Sequence, residues 1–118
     1  MTQPIQRHHT NTRMSKIVQY GGMVYLCGQT SSGSPVHDVA EQTREVLSRI
    51  DALLSEVGTD RSRILTATIY LKSIADFATM NAVWESWMPQ GCAPARTTVE
   101  AALAAESLLV EITIAAAA

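Results

Sequence analysis

Apolar residues divide the first half of the chain into two strand-like segments and one helical segment. Residues 15–20 and 23–29 are short, apolar-rich stretches on either side of a Gly-Gly pair, which is a typical hairpin signal. Over residues 39–57 the apolar positions recur with helical spacing, and Gly58 supplies the expected stop. The pattern therefore predicts a β-hairpin followed by a helix.

Strict alternation then predicts a strand over residues 64–72. Each of its two faces carries one kind of side chain. The apolar face consists of Leu65, Ala67, Ile69 and Leu71, and the semi-polar face consists of Thr66, Thr68 and Tyr70.

Helical spacing returns over residues 74–88, and a Pro-Gln-Gly sequence ends it. Two more strands are predicted, over residues 95–103 and 108–115. The predicted buried stripe of this second helix is formed by Phe77, Met80, Trp84 and Trp87.

The predicted order is β-β-α-β-α-β-β, which favours an α+β fold with a mixed sheet and both helices on one face. At 118 residues the chain fits one domain with a modest core. Because 47% of its residues are hydrophobic, we expect the open sheet face to be covered by another subunit. Residues 1–13 are polar and are predicted to be a flexible arm.

Composition excludes several classes of function. The net charge is −2 and the nine basic residues are scattered, which argues against a nucleic-acid partner. The two cysteines, Cys27 and Cys92, have no Cys/His spacing typical of zinc sites. The start has no apolar core of a signal peptide, and no apolar run is long enough to span a membrane. A soluble protein of the reducing cytoplasm, without a membrane partner, is the expectation.

Two charged residues in predicted strands are the strongest candidates for chemistry. Arg96 follows a Gly-Cys-Ala-Pro turn and shares its strand face with Thr98 and Glu100, and Glu111 lies between Val110 and Ile112 in the last strand. The residues leave two interpretations open. They form a structural ion pair, or they line a polar site for small carboxylates, which the planar donors of arginine match.

Four segments, in order, resemble motifs of one known family. Residues 23–30 resemble a strand ending in Ser-Gly-Gln, and residues 76–84 resemble a D-F-x-x-x-N-x-x-[YW] helix. Residues 93–99 resemble a P-A-R-[ST]-x-V strand, and residues 110–112 a final [VI]-E-[IV] strand. The chain is thereby identified as a member of the Rid family of imine deaminases, also called YjgF or L-PSP, over nearly its whole length.

The resemblance implies a chorismate-mutase-like fold that forms homotrimers around a central barrel, with clefts between subunits. It implies hydrolysis of 2-aminoacrylate-like enamines and imines to 2-keto acids and ammonia, without metal or cofactor. In such a cleft Arg96 would bind the substrate carboxylate, and Glu111 would position or activate water. The other implied substrate-binding residues are Cys27, Gly28, Thr98, which takes a position where many members have cysteine, and Asn81.

Two departures from the family pattern keep other functions open. Many deaminating members have Gly-Pro-Tyr in the first strand, whereas residues 13–17 here are Arg-Met-Ser-Lys-Ile, and Cys27 replaces the usual serine. The alternatives are a non-catalytic protein that binds 2-keto acids and a regulatory or holdase-like trimer.

Overall fold

Six strands form one sheet in the computed structural model, which describes residues 3–118. Two α-helices connect parts of this sheet, and no described helix is long and apolar enough to cross a membrane. In chain order the elements are β1 (Gln6–Thr10), β2 (Ser15–Tyr20), β3 (Met23–Leu26), α1 (Val39–Glu56), β4 (Ile64–Leu71), α2 (Phe77–Trp87), β5 (Ala95–Glu100) and β6 (Val110–Ala117).

The strands are ordered β1-β2-β3-β6-β4-β5 in the sheet. Only β4 and β5 are parallel, and α2 is the crossover between them; all other neighbours are antiparallel. The predicted α+β class, with a mixed sheet and two helices, is confirmed. β5 is an edge strand, so the predicted site residues on it lie at the border of the sheet.

The core lies between the helices and one face of the sheet. Ile50 and Leu54 of α1 and Met80 of α2 are fully buried in the same cluster as Ile69 and Ile112 of the central strands. Alternation along β4 and β6 places every second residue in this cluster. Both helices therefore pack on one side of the sheet, as expected.

The opposite face of the sheet is open. Tyr70 of β4 is paired with Glu111 of β6, and these side chains point away from the helices. Tyr25 continues this face across β3, and its side chain is exposed. A single chain thus leaves one side of its sheet without cover.

The expected flexible arm is wrong for residues 6–10, which form strand β1. This strand pairs antiparallel with β2, and His8 Nε2 lies 2.8 Å from Gln19 Oε1. His9 Nε2 makes a 2.7 Å contact with Glu56 Oε2 at the end of α1. The strand is polar and almost entirely exposed, so it lacks the apolar alternation by which strands are predicted. Residues 1 and 2 of the predicted arm lie outside the described residues.

The predicted apolar face of β4 is wrong at Leu65. The pairing with β6 shifts between Ile64 and Thr66, so Leu65 is an extra residue in a bulge. Its side chain is 45% exposed, while Ile64 takes the buried position at 4% exposed.

Four other predicted elements differ at their ends. The strand predicted over residues 23–29 ends at Leu26, and the last strand runs over Val110–Ala117 instead of residues 108–115. The second helix begins with a 3-10 turn, Ile74–Asp76, and the α-helix starts only at Phe77, whose side chain is exposed rather than buried. Val83 is buried in its place. The fifth strand ends at Glu100 instead of residue 103, because the chain turns away from β4 there.

Candidate functional site

Arg96 lies on the helix-facing side of the sheet edge. It is beside Ala67 in the parallel register of β4 and β5, and Ala67 belongs to the buried core. Its Nη2 donates a 2.7 Å hydrogen bond to Asn81 Oδ1 on α2. The structure therefore brings two of the predicted site residues, Arg96 and Asn81, into direct contact.

Two aromatic rings of α2 enclose the Arg96 guanidinium. Its Cζ atom lies 5.4 Å from the ring centre of Trp84 and 5.9 Å from that of Phe77, within the range of cation–π attraction. Burial lowers the pKa of Arg96 below the usual guanidinium value, and Glu85 partly offsets this effect. A guanidinium stays charged even so.

No carboxylate forms an ion pair with this cation among residues 3–118. Arg96 forms no ion pair there, and its bond to Asn81 uses one of five N–H donors. Arg96 therefore forms no ion pair with Glu111 within these residues, and a structural pair with a carboxylate of another subunit stays a prediction. A half-buried cation with unused donors is suited to bind a small anion.

Thr98 and Glu100 share the helix-facing side of β5 with Arg96. Thr98 Oγ1 is buried and has no hydrogen-bond partner within the described chain. Glu100 Oε1 accepts a 2.8 Å bond from the Ile74 N–H, at the start of the 3-10 turn that leads into α2. We call Arg96, Asn81 and Thr98 the arginine cluster; Glu100 fixes the start of the helix that supplies Asn81.

The remaining predicted site residues form a second group beside β6. A Cβ atom added to Gly28 would lie 3.0 Å from Cδ of Glu111 and closer still to Oε2. Gln29 keeps the Gly28 segment close to β6, because its backbone exchanges two hydrogen bonds of 2.8 and 3.0 Å with the backbone of Ile112. We call Glu111, Gly28 and Cys27 the glutamate cluster.

Cys27 is held by the side chain of Gln29. The amide Nε2 donates to the carbonyl oxygen of Cys27 at 3.1 Å and lies 3.2 Å from its Sγ. Burial raises the pKa of the Cys27 thiol; Lys16 and this hydrogen bond oppose the shift, and Glu111 adds to it. The thiol is thus neutral at physiological pH, which does not suit a nucleophile.

The arginine and glutamate clusters lie on opposite sides of the sheet. Arg96 is level with the buried residue Ala67, whereas Glu111 is paired with Tyr70 on the open face. Successive residues of a strand point to opposite faces, so the sheet itself separates the two charges. A small ligand that touches both clusters needs two chains.

Several residues around these clusters were not predicted as parts of the site. Phe77 and Trp84 were assigned to the core, yet they stand four residues before and three after Asn81, and so share its helix face. Gln29 and Glu100 have no such local signal, because their roles depend on contacts between distant segments. Residues 3–118 contain no group of three His, Cys, Asp or Glu side chains that could hold a metal ion.

A sequence model described as Endoribonuclease L-PSP matches residues 4–118. The chain belongs to this family. It is 42% identical over 113 residues to a RutC family protein of Haemophilus ducreyi, and the aligned region covers 96% of each of the two chains. It is 40% identical to the RutC family protein YoaB of Escherichia coli, over 96% of this chain and 97% of the relative.

A solved member of the family has the same fold. NMB1025 of Neisseria meningitidis, a member of the YjgF protein family, superposes with a TM-score of 0.92 at 40% identity, covering 97% of this chain and 94% of the other. The resemblance to the Rid, or YjgF, family that rests on the four sequence segments is thereby confirmed.

We expect Gly28→Ala to displace the Glu111 carboxylate while leaving the fold intact, because the atom nearest the new methyl group is the end of a flexible side chain. Any reaction that depends on Glu111 should slow by about 10²-fold, as misplaced catalytic groups do. The measurement is the rate of the variant at an unchanged melting temperature. In a Glu111→Ala background the same substitution should cost nothing further; an additional loss there would contradict the displacement.

The neutral state of Cys27 predicts slow alkylation. In a Cys92→Ser variant, where Cys27 is the sole thiol, reaction with iodoacetamide should rise with pH to a midpoint above the ordinary thiol pKa of about 8.5. The reason is that burial favours the thiol over the thiolate. A midpoint below that of a free thiol in the urea-unfolded variant would show an activated cysteine instead.

Proposed function

We propose that this family member hydrolyses small enamines and imines that carry a carboxylate, of the 2-aminoacrylate type, to 2-keto acids and ammonia. The observation that carries this proposal is the half-buried Arg96 guanidinium, which is held by Asn81 and two aromatic rings but forms no ion pair with a carboxylate of residues 3–118. Such a cation binds a carboxylate through two parallel hydrogen bonds.

Binding on Arg96 orients the reacting carbon, which is directly attached to the carboxylate. Fixing that carbon against a water molecule supplies catalysis by proximity. Thr98 offers the ligand its backbone and its unpartnered hydroxyl. Asn81 contributes by holding the guanidinium through Oδ1, so its role is to position Arg96.

Glu111 provides the proton transfers. Its carboxylate takes a proton from the attacking water, whose oxygen adds to the imine carbon. It delivers that proton to the nitrogen, which gives a tetrahedral carbinolamine. The carboxylate then takes the proton of the new hydroxyl group and passes it to the amine, so ammonia leaves as the C–N bond breaks and the C=O bond forms. General acid–base catalysis of this kind contributes about 10²–10⁴-fold. Gly28 and Cys27 would form the wall beside it.

The site is completed between subunits. Arg96 and Glu111 face opposite sides of one sheet, so Arg96 of one protomer would meet Glu111 of its neighbour. The open sheet face supports an assembly, since it exposes 46% of Tyr20 and 47% of Tyr25. We propose a homotrimer in which three such faces surround a central barrel and three clefts hold substrate.

The proposal is tested with imine generated by an amino-acid oxidase. The wild-type protein and Arg44→Ala, a variant that removes a different exposed guanidinium, should accelerate decay of the imine. Arg96→Ala should not. Light scattering on the same samples checks the assembly state. If the intact wild-type assembly leaves the imine decay unchanged, the deaminase proposal is wrong.

A second candidate is binding of a 2-keto acid without turnover. The absent first-strand tyrosine and the neutral thiol of Cys27 favour it, because both leave fewer groups for catalysis. In this case 2-ketobutyrate at millimolar concentration should raise the melting temperature of the wild type but not of Arg96→Ala. No shift in the wild type would exclude this candidate.

A further inference from the structure

An arginine and an aspartate outside both clusters form a two-pronged ion pair at the end of α2. Arg61 Nε donates to Asp51 Oδ1 at 3.0 Å, and Arg61 Nη2 donates to Asp51 Oδ2 at 2.6 Å. Asp51 belongs to α1, and Arg61 opens the 3-10 turn Arg61–Arg63 before β4. The pair therefore joins α1 to the turn that precedes β4.

Both members of this pair also bind Trp87, the last residue of α2. Trp87 Nε1 donates to Asp51 Oδ2 at 2.9 Å, and Arg61 Nη1 donates to the Trp87 carbonyl oxygen at 2.9 Å. The Arg61 guanidinium stands 4.9 Å from the Trp87 ring centre. We call Asp51, Arg61 and Trp87 the clamp. In it, Asp51 and Arg61 hold the indole ring and the carbonyl group of Trp87 at the end of α2.

Contacts lead directly from the clamp to the arginine cluster. The Trp87 and Trp84 rings lie 5.5 Å apart at an angle of 51°, a favourable tilted arrangement. Trp84 also lies beside the Arg96 guanidinium, whose Cζ atom is 5.4 Å from the Trp84 ring centre. One tryptophan therefore separates the clamp from the cation that is proposed to bind substrate.

α2 depends on such outside contacts for its position. It has only 11 residues, no side-chain cap at its start and no basic residue in its last turn. A helix this short is marginal alone, and its last carbonyls need donors from elsewhere. Arg61 supplies a donor and a positive charge at the negative end of the helix dipole. Glu100 holds the other end through Ile74.

We propose that Asp51 and Arg61 are positioning residues for Arg96. They act through Trp87 and Trp84, and they hold α2 so that Asn81 and the Trp84 ring keep the guanidinium in its binding orientation. The functional part of this inference rests on the proposed binding of a carboxylate at Arg96.

The test compares Arg61→Ala with Arg44→Ala, which removes a guanidinium from the same groove between α1 and α2 but leaves the clamp intact. Two NMR signals report the geometry without any ligand: the fluorine resonance of 5-fluorotryptophan at position 84, and the Nε–Hε signal of Arg96. Arg61→Ala should move both, although Arg61 makes no hydrogen bond or cation–π contact with either residue in the described chain, and Arg44→Ala should move neither.

Affinity for 2-ketobutyrate, measured by calorimetry, gives the functional readout. Arg61→Ala should weaken it on the order of tenfold. Arg61→Lys should recover little, because lysine keeps the charge but not the two-pronged geometry. Full recovery with lysine, or unchanged affinity in a folded Arg61→Ala protein, would overturn the inference.

A second variant and a ligand-free measurement cover the cases in which Arg61→Ala does not fold or the wild type does not bind 2-ketobutyrate. If Arg61→Ala does not fold, Asp51→Asn keeps the shape of the side chain but removes the negative charge that pairs with Arg61, and it should shift the same signals by a smaller amount. If the wild type does not bind 2-ketobutyrate, the candidate that binds a 2-keto acid fails, and the imine assay decides the deaminase proposal. The NMR signals then still decide the positioning of Arg96: unmoved signals in Arg61→Ala refute it, and moved signals support it.

Discussion

Mixed assemblies of Arg96→Ala and Glu111→Gln chains should hydrolyse imines, although each variant alone is inactive. The sheet places these residues on opposite faces, so each proposed cleft takes its arginine from one protomer and its glutamate from the next. A cleft is intact when the arginine comes from a Glu111→Gln chain and the glutamate from an Arg96→Ala chain. Random mixing therefore leaves about a quarter of the clefts intact in a cyclic assembly.

The measurement is the hydrolysis rate after the two variants are unfolded together and refolded, with each refolded alone for comparison. The matched control mixes Arg96→Ala with the double variant Arg96→Ala/Glu111→Gln, in which no cleft contains both groups. Recovery to about a quarter of wild-type activity in the first mixture alone is the expected result. Equal inactivity of both mixtures, at normal assembly state, would contradict a site shared between chains.

Ile69→Ala should lower the free energy of unfolding by about 2–5 kcal/mol. Ile69 is fully buried between the central strands and the helices, so the substitution removes apolar contacts and leaves a cavity. For a domain whose total stability is typically about 5–15 kcal/mol, this is a large share.

Leu65→Ala is the matched control, because simple alternation assigns both residues to one apolar face of β4. The bulge exposes Leu65, so its truncation should change the free energy of unfolding by less than about 0.5 kcal/mol. Urea unfolding of both variants gives the comparison. Similar losses of unfolding free energy in the two variants would indicate a regular strand and contradict the bulge.

Local patterns in the sequence were sufficient for the elements with strong periodicity. The hairpin, α1 and the alternating part of β4 could all be predicted, since each buries one apolar face or stripe. β1 could not, because an exposed polar strand is held by backbone pairing with β2 and carries no apolar period. The bulge at Leu65 depends on how β4 is paired with β6, which no local pattern records.

The same limit applies to the candidate site. Arg96 and Glu111 stand out in sequence as charges within strands, and alternation gives the face that each shares with its own neighbours. It does not give the relation between two strands, because that depends on which partners they pair with. The insertion of β6 between β3 and β4, and the parallel pairing of β5, place the two residues on opposite sides. The clamp was missed for a similar reason, since Asp51 and Arg61 meet only when α1 and the turn before β4 are packed.

Because the six-stranded sheet separates the two halves of the proposed site, the proposed activity would depend on protein concentration. A newly folded single chain already has its core, its Arg96 and its Glu111, yet it holds each half of the site on a different side. Dilution below the concentration at which the chains associate would abolish hydrolysis without unfolding the protein. Raising the protein concentration again would restore the rate. The hydrolysis rate would then rise more steeply than the protein concentration, because only assembled chains contain complete sites.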